Sequence, residues 1–378
     1  MPVRVFTTEA EFCTLQPAWD ELFESNPSNS PYQTWQWNFT WWRHFGRPRA
    51  LRLLAAEERG RLIGLAPLYL AERFRGLPIR NLSFIARKRA DYQDFLVRPG
   101  AEETFFRQVL THLRDEVRDW SFIELRDLPE SSPNLPVLRG EAARTLPLVS
   151  ESADEICVSV PLQPTWPAFL DGLSKRFRKD ICYYRRALER RFRTEFRVVE
   201  SADEMRRSLS DLIAVYRARW QEDGGGAIRF DEQSSARFQR EICELFTRAG
   251  RHRLYLLYAD GKPAAGILAY VHNRKCYTEI LAHAPEFHKY SVGTVLLSRA
   301  IEDAIANGWS EFDLMRGNEP YKQRWCGRTR HNHRIRLFRS RGACRVVSSV
   351  DWLCRRGASL ERMVRTYRGA AVTRARIR

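Results

Sequence analysis

"VGTVLLSRAIEDAIANGWSEFDLMRGNEPYKQRW", Val292–Trp325, decides the fold because it changes character twice. Its first part is apolar at helical spacing and stops at Asn307-Gly308, a helix followed by a glycine terminator. "EFDLM" is then a short strand pattern. It breaks into Arg316, Gly317, Asn318, Glu319, Pro320, Tyr321 and Lys322 before an aromatic anchor, Trp325. So much charge and hydrogen-bonding chemistry at one strand exit suits an active-site rim better than a surface turn, because loops at strand ends carry function.

Working outward, "CYTEILAH" precedes the helix as a strand. "RLYLLYADGKPAAGILAYV" before it is a hairpin turning at Asp260-Gly261. Two helices and the strand "EFRVVE" stand upstream. The first half repeats this order: strand Val3–Phe6, helices from Glu9 and through "TWQWNFTWWRHF", and a hairpin through Arg59-Gly60. Strand region "DYQDFLV", helix "EETFFRQVLTHLRDEV" and strand "SFIELRDL" follow, then extended segments "RTLPLV" and "ICVSVPL". "WSFIEL" from Trp120 echoes "WSEFDL" from Trp309, and Gly60 and Gly64 echo Gly261 and Gly266. Both halves read β-α-α-β-β-β-α-β, which predicts a tandem α/β fold on mixed sheets. The expected boundaries are 1–160, then 161–345 with a basic linking helix at 174–193, then a basic tail at 346–378.

The length of 378 residues suits two domains, and 44% hydrophobic content with 21 Phe, 13 Tyr and 11 Trp excludes wholesale disorder. A net charge of +17 implies an anionic partner without choosing one. The eight cysteines are scattered singly, which argues for reduced thiols and against a disulfide framework or a metal site. "MPVRVFTTEAEF" lacks the apolar core of a signal peptide and no apolar run reaches membrane-spanning length, so a cytoplasmic protein is expected. The segment from Asp351 carries eight Arg against two acids, an arrangement able to lie on an anionic membrane surface at the inner face.

The helix "SKRFRKDICYYRRALERRF" buries one stripe (Phe177, Ile181, Tyr184, Leu188, Phe192) and leaves its cations off it. Two readings stay open for Lys175, Arg178 and Lys179: a solvated face, or contacts to an anionic substrate. Nucleic acid is not expected, because the helix's aromatics follow the buried stripe rather than interleaving with its cations for base stacking. "YRARW" pairs Tyr216 with Trp220 on a helix and turns Arg219 toward the cleft. Glu279 and His283 share one face of "CYTEILAH" and join Asp313 and Glu319 as candidate general bases. For Asp313 a simple ion pair is the alternative. Arg316, Asn318 and Lys322 are placed as acceptor contacts, and Asp91 and Tyr92 either recognise a sugar hydroxyl or cap a turn.

The element order resembles the GNAT acyltransferase fold in the doubled arrangement of FemAB-type proteins. More specifically the chain resembles the CelD/BcsL-like acetyltransferases associated with cellulose and exopolysaccharide biosynthesis. The resemblance rests on "LSKRFRKDICYYRRALER", "YRARW", "LYLLYADGKPAAGILAY", "YSVGTVLLSRAIEDAIANG" and "FDLMRGNEPYKQRW". In the first half it rests on "WWRHFG", "ADYQDFLV" and "LRDLPESSPN". It implies acyl-CoA, most simply acetyl-CoA, as co-substrate, with its pyrophosphate at a helix N-terminus. The family's Gln/Arg-x-x-Gly-x-Gly/Ala pattern falls on His288, Ser291 and Gly293, so His288, Ser291, Val292, Gly293 and Thr294 are the expected donor site, with Ser291 as helix cap. At the matching place the first half has "RPGAEETFF", whose acids repel phosphate, which makes it a non-catalytic copy. Tyr321 is then the acid that protonates the leaving thiolate.

The resemblance implies direct acyl transfer to an amine or hydroxyl of an envelope or exopolysaccharide precursor, with an acyl carrier protein as a further possible donor. Two rivals remain: a FemX-like transferase using aminoacyl-tRNA, and a non-enzymatic member of a polysaccharide-synthesis complex.

Overall fold

The computed structural model describes residues 3–222, 233–354 and 356. Thirteen strands form one mixed sheet: β1 Val3–Phe6, β2 Ala50–Glu58, β3 Arg61–Ala71, β4 Asn81–Phe84, β5 Leu96–Val97, β6 Phe122–Pro129, β7 Leu148–Pro161, β8 Thr194–Val199, β9 His252–Ala259, β10 Lys262–His272, β11 Lys275–His283, β12 Glu311–Arg316 and β13 Arg328–Phe338. The α-helices are α1 Glu9–Thr14, α2 Gln16–Glu24, α3 Trp35–Phe45, α4 Glu102–Asp115, α5 Asn134–Thr145, α6 Trp166–Gly172, α7 Lys175–Arg191, α8 Ala202–Glu222, α9 Gln233–Arg248, α10 Val292–Ala306, α11 Pro320–Gln323 and α12 at 341–354.

The strand order is β1-β2-β3-β4-β6-β13-β7-β12-β11-β10-β9-β8, with β5 beside β3. Read from either end, the pairing is the same: three antiparallel contacts, then one parallel contact (β4 with β6, β11 with β12). The middle is an exchange. β13 lies between β6 and β7, and β7 pairs with β12, so each half is completed by a strand from the other. One sheet therefore runs through the whole molecule, and side chains of both halves meet at the junction.

Both hairpins turn through two left-handed residues, Arg59-Gly60 (φ 51° and 76°) and Asp260-Gly261 (φ 49° and 75°). That is the turn whose twist matches antiparallel strands. The "WSFIEL"/"WSEFDL" echo is structural: Glu124 and Asp313 are both buried and each faces a β13 arginine, Arg336 and Arg330. The glycine echo is not. Gly64 is pressed against Phe105 of α4, whereas Gly266 is pressed against Leu212 of α8 on the other layer.

Three further differences concern the first half. The region around "DYQDFLV" is strand only at Leu96–Val97, "RTLPLV" begins inside α5, and the two extended segments are one 14-residue strand, β7.

The cores sit on both sheet faces. One packs α4 and α5 on β2, β3, β4 and β6, through Phe105, Phe106, Leu110 and Leu138. A second packs α7 and α10 on β9 to β12, through Phe177, Ile181, Leu296 and Phe312. The third is aromatic: α3, capped by Thr34 on the Trp37 amide, buries Trp37 against Phe238, Phe246 and Tyr270 of the second half. No helix among the described residues is long and apolar enough to cross a membrane.

Candidate active site

β11 and β12 run parallel through only three pairs, Lys275↔Glu311, Cys276↔Phe312 and Tyr277↔Asp313. Beyond them the strands part. β12 slips register against β7 between Asp313 and Arg316, and Met315 and Gly317 adopt positive φ (59° and 109°). Asp313 holds this bulge, its Oδ1 accepting the Met315 N–H at 2.7 Å. The gap opens into a cavity of about 700 Å³. Its walls are Thr278–Leu281 and His283 of β11, Leu314–Arg316 of β12, the start of α10, Tyr216, Arg219 and Trp220 of α8, the exit loop, and Lys88 and Asp91 from the first half.

Ser291, Val292, Gly293 and Thr294 line this cavity at the α10 N-terminus. Ser291 is left-handed (φ 50°) and caps through its carbonyl, which accepts the Thr294 and Val295 amides at 2.9 and 3.1 Å, not through its hydroxyl as expected. The first helix amides have no intrahelical acceptor. The first turn carries no acid, so the partial positive charge of the helix start is not offset there. At Gly293 there is room: an added Cβ would meet only His283 Nδ1, at 3.7 Å. His288 stacks on His283 with ring centroids 5.6 Å apart, and Arg219 Nη1 lies 2.7 Å from His283 Nδ1. These groups add positive and hydrogen-bonding character at the same mouth.

The matching place in the first half is built differently. α4 starts with Glu102 and Glu103, and Glu102 turns back to accept the Gly100 amide at 2.9 Å. The pocket beside Phe84, Ile85, Gln93 and Asp94 holds about 10 Å³ and is lined by no residue of α4.

The exit loop is locked from inside. Lys322 is 3% exposed; its Nζ donates to the carbonyls of Met315, Arg316 and Gly317 at 3.3, 2.5 and 3.3 Å and pairs with Glu319 at 3.0 Å. It is therefore not available to hold an acceptor anion. Glu319 has its carboxylate half exposed at the cavity. Tyr321 is also exposed there, its hydroxyl pushed up to about 12 by burial and the Glu319 charge. Asn318 accepts from Gln323 at 2.6 Å and is not part of the cavity wall. On β11, Glu279 faces the cavity and accepts from Tyr32 of the first half at 2.8 Å.

Other candidates are committed elsewhere. Arg316 bonds Asp127 at 2.8 Å and Asp91 at 3.2 Å, so its charge fastens the two halves instead of awaiting a substrate. Asp91 keeps a place in the cavity wall, but as that partner. Tyr92 is buried and donates to Asp313 at 2.7 Å. Asp313 is wholly buried on the other face of the strand, in a polar cavity of about 50 Å³ with Tyr277, Asp94 and Arg330, and burial pushes its carboxyl up to about 7. It holds the bulge from behind and does not touch the main cavity. Lys175, Arg178 and Lys179 are not in the cavity either: Arg178 and Lys179 line a separate groove of about 280 Å³ with Cys182, Tyr183, Arg186 and Arg190, and Arg178 pairs with Asp171.

The sequence reading missed Tyr32 and Lys88. Nothing local marks them; they reach the site only because the halves share a sheet.

Residues 175–323 match the family described as acetyltransferase (GNAT) domain. This part of the chain has the GNAT-like fold. The protein is accordingly a transferase of the acyltransferase class, and the match ends within the exit loop that carries Glu319 and Tyr321. A search of curated protein sequences gave no match. Among solved structures, FemX superposes with a TM-score of 0.61 at 12% identity over 88% of this chain and 97% of its own. L-PGS from Bacillus licheniformis does so at 0.54 and 11% (88% and 93%). The C-terminal domain of a putative lysylphosphatidylglycerol synthetase from Agrobacterium fabrum does so at 0.53 and 12% (92% and 98%). At these identities the likeness is one of fold, and it spans both halves.

Proposed function

We propose that the protein is an acyl-CoA-dependent N- or O-acyltransferase, most simply an acetyltransferase of the CelD/BcsL-like type. Its acceptor is an envelope or exopolysaccharide precursor. The observation that carries this reading is the cavity of about 700 Å³ between the parted strands, floored by an acid-free helix N-terminus with space at Gly293. The residues present fit the donor: the Val292 and Gly293 amides suit a pyrophosphate, and Arg219, His283 and His288 stand beside them. Acyl-CoA supplies an activated thioester carbonyl. Glu319 or Glu279 takes the proton of the attacking amine or hydroxyl, directly or through water. Tyr321 gives its Oη proton to the sulfur as the C–S bond breaks. No group in the cavity is required as a covalent nucleophile, so donor and acceptor meet in one complex.

Calorimetric titration of the full chain with acetyl-CoA tests the donor. Saturable binding that is lost in Gly293→Asp supports the reading. No heat with acetyl-CoA, together with filter retention of aminoacylated tRNA at moderate salt, would replace it by the FemX-like alternative. An acidic acyl carrier protein as donor is a variant of the same reading, and the cationic groove of α7 is where it would dock.

A further inference from the structure

Seven large apolar side chains are exposed among the described residues, and four of them gather at one corner: Val346, Trp352 and Leu353 on α12, and Leu77 on the β3–β4 hairpin. The hairpin tip is fastened to α12. Phe74 shares a buried cluster with Val347 and Val350, and Arg75 bonds Asp351 at 2.7 Å. The inner face of the helix is thus spent on packing, while its outer face carries apolar groups left uncovered among the described residues.

The charge on that face has one sign. Asp351, the sole acid of 341–354, is buried and bound by Arg336 and Arg75. Arg345 and Arg356 stand on the outer side without a carboxylate partner among the described residues, and Arg356 lies over the Trp352 ring at 4.0 Å. The sequence of 355–378 adds further arginines against one acid, Glu361.

We propose that this face is a docking surface for an anionic lipid bilayer. Apolar side chains with Trp among arginines are what an interfacial helix needs: the rings and aliphatic groups enter the headgroup boundary while the guanidinium groups stay at phosphate level. A second copy of the chain is disfavoured, because it would set arginine against arginine. The inference goes beyond the proposed reaction and does not depend on it.

The experiment is co-sedimentation of the full chain with phosphatidylcholine vesicles, with and without phosphatidylglycerol. Binding is expected only when phosphatidylglycerol is present, and it weakens as salt rises. Trp352→Ala with Leu353→Ser weakens binding at least about fivefold without moving the melting temperature, since both side chains are exposed. Arg345→Gln alone weakens it about fivefold. Equal binding to neutral vesicles, no binding to anionic ones, or binding untouched by the double variant overturns the proposal; the last would assign it to the arginines of 355–378 instead.

Discussion

Tyr92 of the first half donates its hydroxyl to Asp313 of the second at 2.7 Å, and the same carboxylate accepts the Met315 amide at 2.7 Å. One buried acid therefore ties the halves together and holds open the bulge from which the cavity begins. Burial pushes its carboxyl up to about 7. A carboxyl raised on folding binds more protons in the folded chain than in the unfolded one. Its contribution to stability is thus greatest near pH 4 and is lost as pH rises through about 7. His252 and His272, lowered by burial to about 3 and about 4, act in the opposite direction over the same range. The difference between wild type and Asp313→Asn isolates the carboxylate. Urea midpoints should show the variant gaining on wild type by up to ~1.4 kcal/mol for each pH unit between pH 5 and 7. A constant difference would mean that Asp313 is ionised throughout.

Lys322 makes the loop a single piece. Its ammonium serves three consecutive carbonyls, and Lys322→Met leaves them without that donor in a site where the lysine is 3% exposed. The expected loss is about 2–4 kcal/mol, since buried acceptors left unmade cost more than a hydrogen bond gains. Glu319→Ala removes only a half-exposed partner and should cost under about 1 kcal/mol. Denaturation of both variants checks the ranking; equal losses would show that the ion pair, not the carbonyl contacts, secures the loop.

What the sequence disclosed follows from the range of each signal. The tandem plan was legible because helix and strand periods are local, and the Glu124/Asp313 echo survived because both acids face β13 arginines. The Gly64/Gly266 echo did not survive. Gly64 stands four residues after its turn glycine and Gly266 five, and along a strand one residue exchanges the faces. The exchange of β7 and β13 leaves no local mark, so the fates of Arg316, Tyr92 and Asp313 could not be read from their own neighbourhoods. Tyr32 and Glu279 meet across 247 positions of chain. Lys322 misled for a different reason: a lysine in a polar loop reads as exposed, and only the backbone carbonyls that turn inward at Met315 and Gly317 make it a core residue.

Gly293 separates steric from electrostatic demands on the donor site. The space at its Cα admits a methyl group, with His283 Nδ1 as the nearest contact at 3.7 Å. Gly293→Ala should therefore fold normally and bind acetyl-CoA within a few-fold of wild type. Gly293→Asp also fits a helix start, and a carboxylate there favours the helix itself by about 0.3–1 kcal/mol. It should nevertheless reduce acetyl-CoA affinity at least about tenfold, because it occupies the anion site with the wrong charge. Calorimetry together with melting temperatures distinguishes this outcome from damage to the fold. Equal affinity in both variants would place the pyrophosphate elsewhere.

Tyr321 is the side chain best suited to return a proton to sulfur. Its hydroxyl stays protonated to about pH 12 because burial and the neighbouring Glu319 charge both oppose the phenolate. It can act as an acid at neutral pH without an ionisation of its own entering the working range. Tyr321→Phe should lower kcat about 10²-fold, the usual scale of general-acid catalysis, with KM for acetyl-CoA little changed. The side chain is exposed at the cavity, so folding should be intact. The decisive comparison uses donors with different leaving thiols. If Tyr321 protonates the thiolate, the variant loses most with the most basic thiol and recovers as the thiol becomes more acidic. A loss that is uniform across the series would mean that Tyr321 positions the acceptor and that the proton reaches sulfur from solvent.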